Sequence, residues 1–213
     1  MMNLETEAGT LNIVRAALAD YNAVMAILRE AADWISARGN PPWNHWYMDA
    51  GERILRDRIE HHEVYLVHRD GVPVGTVTIQ WSDPEVWGEH GLDDRAGYIH
   101  GIAITRSVGG VRVGERLLQW AVETVAAQGR QFARLDTIAS NAILCRYYQQ
   151  RGFRPLGTRD TIWMDVHRPA LRTQTSVQVN VTTRYPLVAC PHGEASVPLL
   201  RPRAQRLANL LDG

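Results

Sequence analysis

Apolar and polar positions change period several times along the chain, and each change predicts an element. Leu11-Asn-Ile-Val14 alternates as a short strand does. Between 17 and 32, Leu18, Tyr21, Met25 and Leu28 recur at helical spacing and predict an amphipathic helix. Gly39-Asn-Pro-Pro42 ends that region, because paired prolines cannot continue a helix. A tryptophan-rich loop follows, and Ile54, Leu55 and Ile59 predict a second helix over 49–61. Val64-Tyr-Leu-Val67 and 72–81 flank Arg69-Asp70-Gly71, a compact turn signal, and together predict a β-hairpin.

The stretch 82–95 is polar, acidic and irregular. A strand is predicted at 98–105. A glycine-bearing loop at 107–110 then opens a helix carrying Leu117, Leu118, Ala121, Val122 and Val125, which Gly129 ends as a left-handed cap. A strand at 132–138 and a short helix at 141–150 follow, with Gly152 at the end of that helix. Beyond Phe153 the periodicity weakens: 162–166 and 177–181 read as strands, 186–202 as loop and 204–211 as a terminal helix. The order predicts an α/β fold, a mixed central sheet flanked by helices, with a C-terminal strand/helix extension. The expected division is a domain over 11–166 and an extension over 167–213 packed on it.

Composition narrows the function classes. The formal net charge of the 213 residues is zero, so no overall field draws the chain to nucleic acid or to an anionic membrane, and neither is expected as a partner. No apolar run approaches the roughly 20 residues of a membrane span, and 1–10 lacks the layout of a signal peptide, so a cytoplasmic protein is expected. The two cysteines, Cys145 and Cys190, form no disulfide framework. His61, His62, His68 and His90 have no metalloenzyme spacing, so no metal is expected. All 23 basic residues are arginine; codon usage in a GC-rich genome accounts for that, and avoidance of self-acylation is the alternative.

The strand–loop–helix at 98–128 offers backbone N–H groups and a positive dipole end to an anion. A dinucleotide fingerprint fails because Val111 stands where the middle glycine belongs. A P-loop fails because Glu115-Arg116 stand where Lys and Ser/Thr are needed. The run Gly97-Tyr-Ile-His-Gly-Ile-Ala-Ile-Thr-Arg-Ser-Val-Gly-Gly-Val-Arg-Val-Gly-Glu-Arg-Leu-Leu118 instead resembles the coenzyme-A motif of the GNAT acetyltransferases, whose loop reads Q/R-x-x-G-x-G/A. The resemblance implies acetyl-CoA as cosubstrate. It implies that Ile102, Ala103 and Ile104 contact the pantetheine arm and thioester, and that the loop Gly109, Gly110, Val111, Arg112, Val113, Gly114 and Glu115 surrounds the pyrophosphate. Arg112 departs from the pattern, standing at the first glycine. Either it turns outward and grips a phosphate, or it obstructs the loop.

Asn141-Ala-Ile-Leu-Cys-Arg-Tyr-Tyr-Gln-Gln-Arg-Gly-Phe153 resembles the family's N-x-x-A-x-x-x-Y-x-x-x-G-F motif. A capped helix packed by Leu144, Tyr147 and Phe153 explains the same residues structurally. By the resemblance, Asn141 bonds the pantetheine arm and Tyr148 protonates the leaving thiolate. Candidates for the base that deprotonates the acceptor are Asp136, His100 and Glu85. For the acceptor site the resemblance points to the first helices and the loop after the hairpin. There Trp34, Trp46 and Trp81 form aromatic walls, and Asp83 and Glu85 attract a cationic amine; packing in a core is the plainer role for the aromatics. The stretch 63–98 also looks like a GNAT group common in actinobacteria.

The function implied is N-acetyl transfer from acetyl-CoA to a primary amine of a small molecule or peptide, directly within a ternary complex, with a homodimer left open. A non-catalytic acyl-CoA sensor or interaction module on the same fold is the rival reading.

Overall fold

The computed structural model describes residues 2–6, 9–38, 50–61, 63–108, 112–164 and 169–181. Its strands are β1 (Met2–Thr6), β2 (Gly9–Arg15), β3 (Glu63–Arg69), β4 (Val72–Gln80), β5 (Ala96–Ile104), β6 (Phe132–Ile138), β7 (Arg154–Met164) and β8 (Pro169–Asn180). The helices are α1 (Tyr21–Ser36), α2 (Ala50–His61), the single turn α3 (Pro84–Trp87), α4 (Val113–Ala127) and α5 (Ala142–Gln149). The eight strands form one mixed sheet in the order β1-β2-β3-β4-β5-β6-β8-β7. Among the described strands only β5 and β6 run parallel, joined by α4 as a crossover.

Local chemistry accounts for most of these elements. Asp70 and Gly71 both have positive φ and close the β3–β4 hairpin, as a two-residue turn demands. On one face of the sheet, Leu117, Leu118, Ala121, Val122 and Val125 of α4 bury against Val77, Ile79, Ile99 and Leu135. On the other, Val24, Met25, Ile27 and Leu28 of α1 meet Leu55 and Ile59 of α2 over Val64, Leu66 and Ala103.

Three findings go beyond the sequence reading. A strand, β1, precedes the expected first one and pairs with it, placing Leu4 in the core. The polar stretch after β4 is not irregular: it forms α3 and a 3-10 turn over Gly88–Leu92 that fold onto the sheet. The strand β8, within the segment 167–213, is an internal strand bonded to β6 on one side and β7 on the other. The expected loop at 186–202 and helix at 204–211 lie outside the described residues, as does Cys190.

Candidate active site

The two parallel strands part in the middle of the sheet. They pair from Ala96–Phe132 to Ile99–Leu135 and no further, while β6 stays bonded to β8 through Ile138. The cause lies in β5, where three steps from His100 to Ala103 oppose two from Thr78 to Thr76 on β4. Gly101 absorbs the extra residue at φ +57°, a conformation glycine takes without a Cβ penalty. Thr105 N–H donates to Val74 O at 2.9 Å, so strand alternation turns the Ile104 N–H to the opened edge. The Ile102 and Ile104 side chains pack on the α4 face, and Ala103 is buried on the α1 face.

His100 and Asp136 are the first residues past the last pair, and the structure brings them together with Asp83. His100 Nδ1 lies 3.3 Å from Asp136 Oδ1, and His100 Nε2 lies 3.2 Å from Asp83 Oδ2. The side chains of His100, Asp83 and Asp136 are 10%, 4% and 13% exposed. The approach of Asp83 is off the hydrogen-bond line, so Oδ2 and Nε2 have no aligned partner among the described residues and their contact is electrostatic. Burial by itself would push the imidazole pKa down, but Asp136 and Asp83 outweigh it and raise it above the ordinary 6.5. Burial pushes the Asp83 carboxyl up, and contact with His100 more than reverses this, leaving it below its usual range.

A second charged cluster stands at the N-terminus of α4. Arg112 has φ +57° and ψ +17°, a left-handed conformation that glycine takes without a Cβ penalty. Its guanidinium folds back on Glu115, donating from Nε at 3.1 Å and from Nη2 at 3.0 Å. Arg151 Nη2 holds the same carboxylate at 3.0 Å, and its guanidinium stacks 3.6 Å from the centroid of Tyr147. Arg112 first, with Arg151, holds the Glu115 carboxyl below its usual range.

On α5, the Asn141 Oδ1 accepts from Leu144 N–H at 3.0 Å, so its carbonyl caps the helix and its amide N–H groups remain for another partner. Tyr148 packs edge-to-face on Tyr147 and Phe153 against the α4-side core. Burial, then Tyr147 and the charge of Asp136, push its hydroxyl well above the ordinary 10, so it stays a phenol and a proton donor.

The other predicted positions are scattered. Trp34, near the end of α1, is held between Arg38 and Arg106, whose guanidinium carbons lie 3.8 and 4.4 Å from its ring centroid. Trp81 follows β4 on the α4 face, near Gly97 and Val125, across the sheet from His100. Gly109, Gly110, Val111, Trp46 and the Glu85 side chain lie outside the described residues. Sequence reasoning missed Arg151, although its place just before Gly152 in the second motif was a signal.

A cavity of about 470 Å³ lined by Trp87, Asp93, Phe132, Arg134 and Gln178 lies toward the N-terminal ends of β5 and β6. Its Arg134 is already committed to Asp93, His90 O and Gln178. Among the described residues no helix is long and apolar enough to cross a membrane, and no His, Cys, Asp or Glu side chains converge as a metal site.

Known proteins share this fold. The model of the acetyltransferase (GNAT) family matches residues 28–153. The chain is 25% identical over 158 residues to the uncharacterized N-acetyltransferase YesJ of Bacillus subtilis, covering 72% of this chain and 87% of that protein. In fold it is similar to a GNAT-family acetyltransferase from Listeria monocytogenes, with TM-score 0.68 and 21% identity over 84% of this chain and 99% of that one. It is likewise similar to the PaiA N-acetyltransferase of Thermoplasma acidophilum in complex with coenzyme A, with TM-score 0.57 and 14% identity over 80% and 98%. The family match spans more than half of the sequence and includes the parted strands and both charged clusters, and on that ground the chain belongs to the GNAT family and is an acetyltransferase.

Proposed function

We propose that the enzyme moves an acetyl group from acetyl-CoA to a primary amine of a small molecule or peptide, directly within a ternary complex. The observation that carries this reading is the parting of β5 and β6, with a titratable cluster on one face and a half-buried phenol on the other. In this reading the β5 backbone at Ile102, Ala103 and Ile104 and the amide of Asn141 hold the pantetheine arm. The loop 109–115 and the α4 N-terminus hold the pyrophosphate. Bound acetyl-CoA supplies the acetyl group as a thioester.

The base in this proposal is the His100–Asp136 pair. It takes a proton from the acceptor amine, directly or through one water, as the C–N bond forms and the C–S bond breaks. The Ile104 N–H, and that of Ile102, polarise the carbonyl oxygen. Tyr148 gives its phenolic proton to the departing sulfur, and solvent returns the proton from the base. Two carboxylates around one imidazole favour an acceptor that arrives as a cation, which sheds one proton to solvent before the neutral amine attacks and gives its second to the base.

One observation favours the rival reading. Glu115 lies between Arg112 and Arg151 beside the expected pyrophosphate position, which suits a weakened site such as that of a non-catalytic acyl-CoA sensor. Thiol release from acetyl-CoA with a panel of polyamines, aminoglycosides, amino acids and peptides separates the two. The chain has no lysine, so self-acylation of side-chain amines does not blur the assay. Turnover on any amine supports the enzyme reading; tight CoA binding without turnover supports the sensor. No thermal stabilisation by millimolar acetyl-CoA would count against both, since a ligand at about 100 times its Kd adds roughly 2.7 kcal/mol.

A further inference from the structure

We propose that Asp83 is a positioning residue for the base: from its seat before the α3 turn it pins the Nε2 side of His100 and turns the Nδ1 side toward Asp136 and the strand split. The proposal rests on the His100–Asp136 pair being the base.

Sequence and local structure set Asp83 in place. It precedes Pro84 at the first helical position, and its Oδ1 accepts from Val86 N–H at 3.3 Å, capping α3. Capping uses one oxygen, and Ser or Asn would do it as well. It does not explain the second oxygen, which is buried against an imidazole 3.2 Å away. A carboxylate so withdrawn from water is costly unless a cation is near, so the pair stabilises itself best with the ring protonated.

The segment carrying Asp83 is fastened to the strands that carry its partners. Asp83 N–H and the Ser82 hydroxyl both donate to Gly91 O, at 2.9 and 3.2 Å. A Cβ on Gly91 would fall 2.1 Å from Asp83 O, so only glycine permits this closure. The next carbonyl back, His90 O, accepts from the Tyr98 hydroxyl of β5 and from Arg134 Nη1 of β6 at 2.7 Å. Asp93 is locked to Arg134 Nη2 at 2.8 Å. The turn is therefore referenced to β5 and β6 two residues before His100 and Asp136.

One further group bears on the ring directly, and three interact with the two carboxylates. Asp136 faces it from β6, while Arg58 of α2 acts on Asp83 and favours its carboxylate. Tyr98 feels Asp83, and Tyr148 of α5 feels Asp136. A neutral His100 has a lone pair turned toward a carboxylate, which makes it a stronger base than a free imidazole and a more fully protonated one at neutral pH. Activity then rises with pH as His100 loses its proton. Removing the Asp83 charge weakens the base and makes it available at lower pH.

The test is an NMR titration of the His100 ring in the ligand-free protein, for the parent, Asp83→Asn and Asp83→Ser. Both variants keep a cap acceptor, and melting curves check that they fold. The pH profile of thiol release with the fastest amine of the panel is measured in parallel, with His100→Gln added. The expected midpoint is above 6.5 in the parent and about one pH unit lower in both variants, with the acidic limb of the profile moving by the same amount. An unmoved midpoint and limb in folded Asp83 variants, even with reduced turnover, would leave Asp83 a purely structural cap and overturn the proposal, while loss of turnover in His100→Gln would keep the base. Parent-like turnover and limb in His100→Gln would overturn the base reading itself and this inference with it.

Discussion

The two charged clusters are electrostatic mirror images. At the strand split a cation stands between two anions, His100 between Asp83 and Asp136; at the α4 N-terminus an anion stands between two cations, Glu115 between Arg112 and Arg151. The first is buried, its members no more than 13% exposed, whereas Arg112 and Glu115 are 50% and 28% exposed. Only the first contains a group whose charge changes near neutral pH, because arginine keeps its proton throughout. Under the proposed function one cluster exchanges a proton with the acceptor amine and the other holds charge still beside the pyrophosphate.

The largest expected effect comes from the acid that belongs to neither cluster. Tyr148→Phe should lower turnover by about 100-fold or more with CoA affinity little changed, because it removes a proton donor and keeps the ring against Phe153. Unchanged turnover would mean that water protonates the thiolate. A smaller effect should follow from unbalancing the second cluster. Glu115→Gln removes the negative charge beside the helix N-terminus and releases the two guanidinium groups, so CoA should bind about fivefold tighter by calorimetry. Weaker binding would show that Glu115 orients the arginines rather than competing with phosphate.

The first cluster should also be visible in stability. The His100 pKa is raised above 6.5, so its contribution is complete below that value and is lost as pH rises through the folded-state midpoint. The Asp83 pKa is lowered from 3.8, so its contribution is complete above that value and is lost as pH falls through its own midpoint. The melting temperature should therefore be highest between the two and drop on the alkaline side. In His100→Gln the alkaline drop should flatten by a few degrees, measured by calorimetric scans across pH. An alkaline drop of the same size in that variant would assign it to another group.

The elements of the second cluster were legible in the sequence and the contacts of the first were not, for a physical reason. The β5–loop–α4 unit and the capped helix α5 are written locally, in helical periodicity and in Gly129, Asn141 and Gly152 at their ends. The sequence also named His100 and Asp136 as separate base candidates. What joins them to Asp83 is long-range: Ser82-Asp-Pro-Glu85 and Asp93-Asp94 read as part of a polar, acidic and irregular stretch. Arg134, more than 40 residues later, draws that loop inward through Asp93 and His90. For the same reason Trp81 looked available to an acceptor, while strand alternation puts it on the α4 face. The strand β1 escaped because Met2-Asn-Leu-Glu-Thr6 commits a single apolar residue, Leu4, to the core.

The smallest effect separates backbone from side chain at Arg112. A residue with a Cβ in the left-handed conformation costs roughly 1–2 kcal/mol, which glycine avoids. The half-exposed contact with Glu115 returns only part of that, since an exposed ion pair contributes about 0–1 kcal/mol. Arg112→Ala loses the ion pair and keeps the strain, whereas Arg112→Gly loses the pair and the strain together. The glycine variant should therefore melt about 2–4 °C above the alanine variant, even though glycine also loosens the unfolded chain. Ligand binding then divides the two roles. If Arg112 leaves Glu115 to grip a phosphate, both variants bind CoA more weakly than the parent and lose part of its salt dependence, glycine no better than alanine. If the arginine only obstructs the loop, the glycine variant binds CoA tighter than the parent. Tighter binding would remove Arg112 from the pyrophosphate site and leave Arg151 as the cation of the second cluster that serves it.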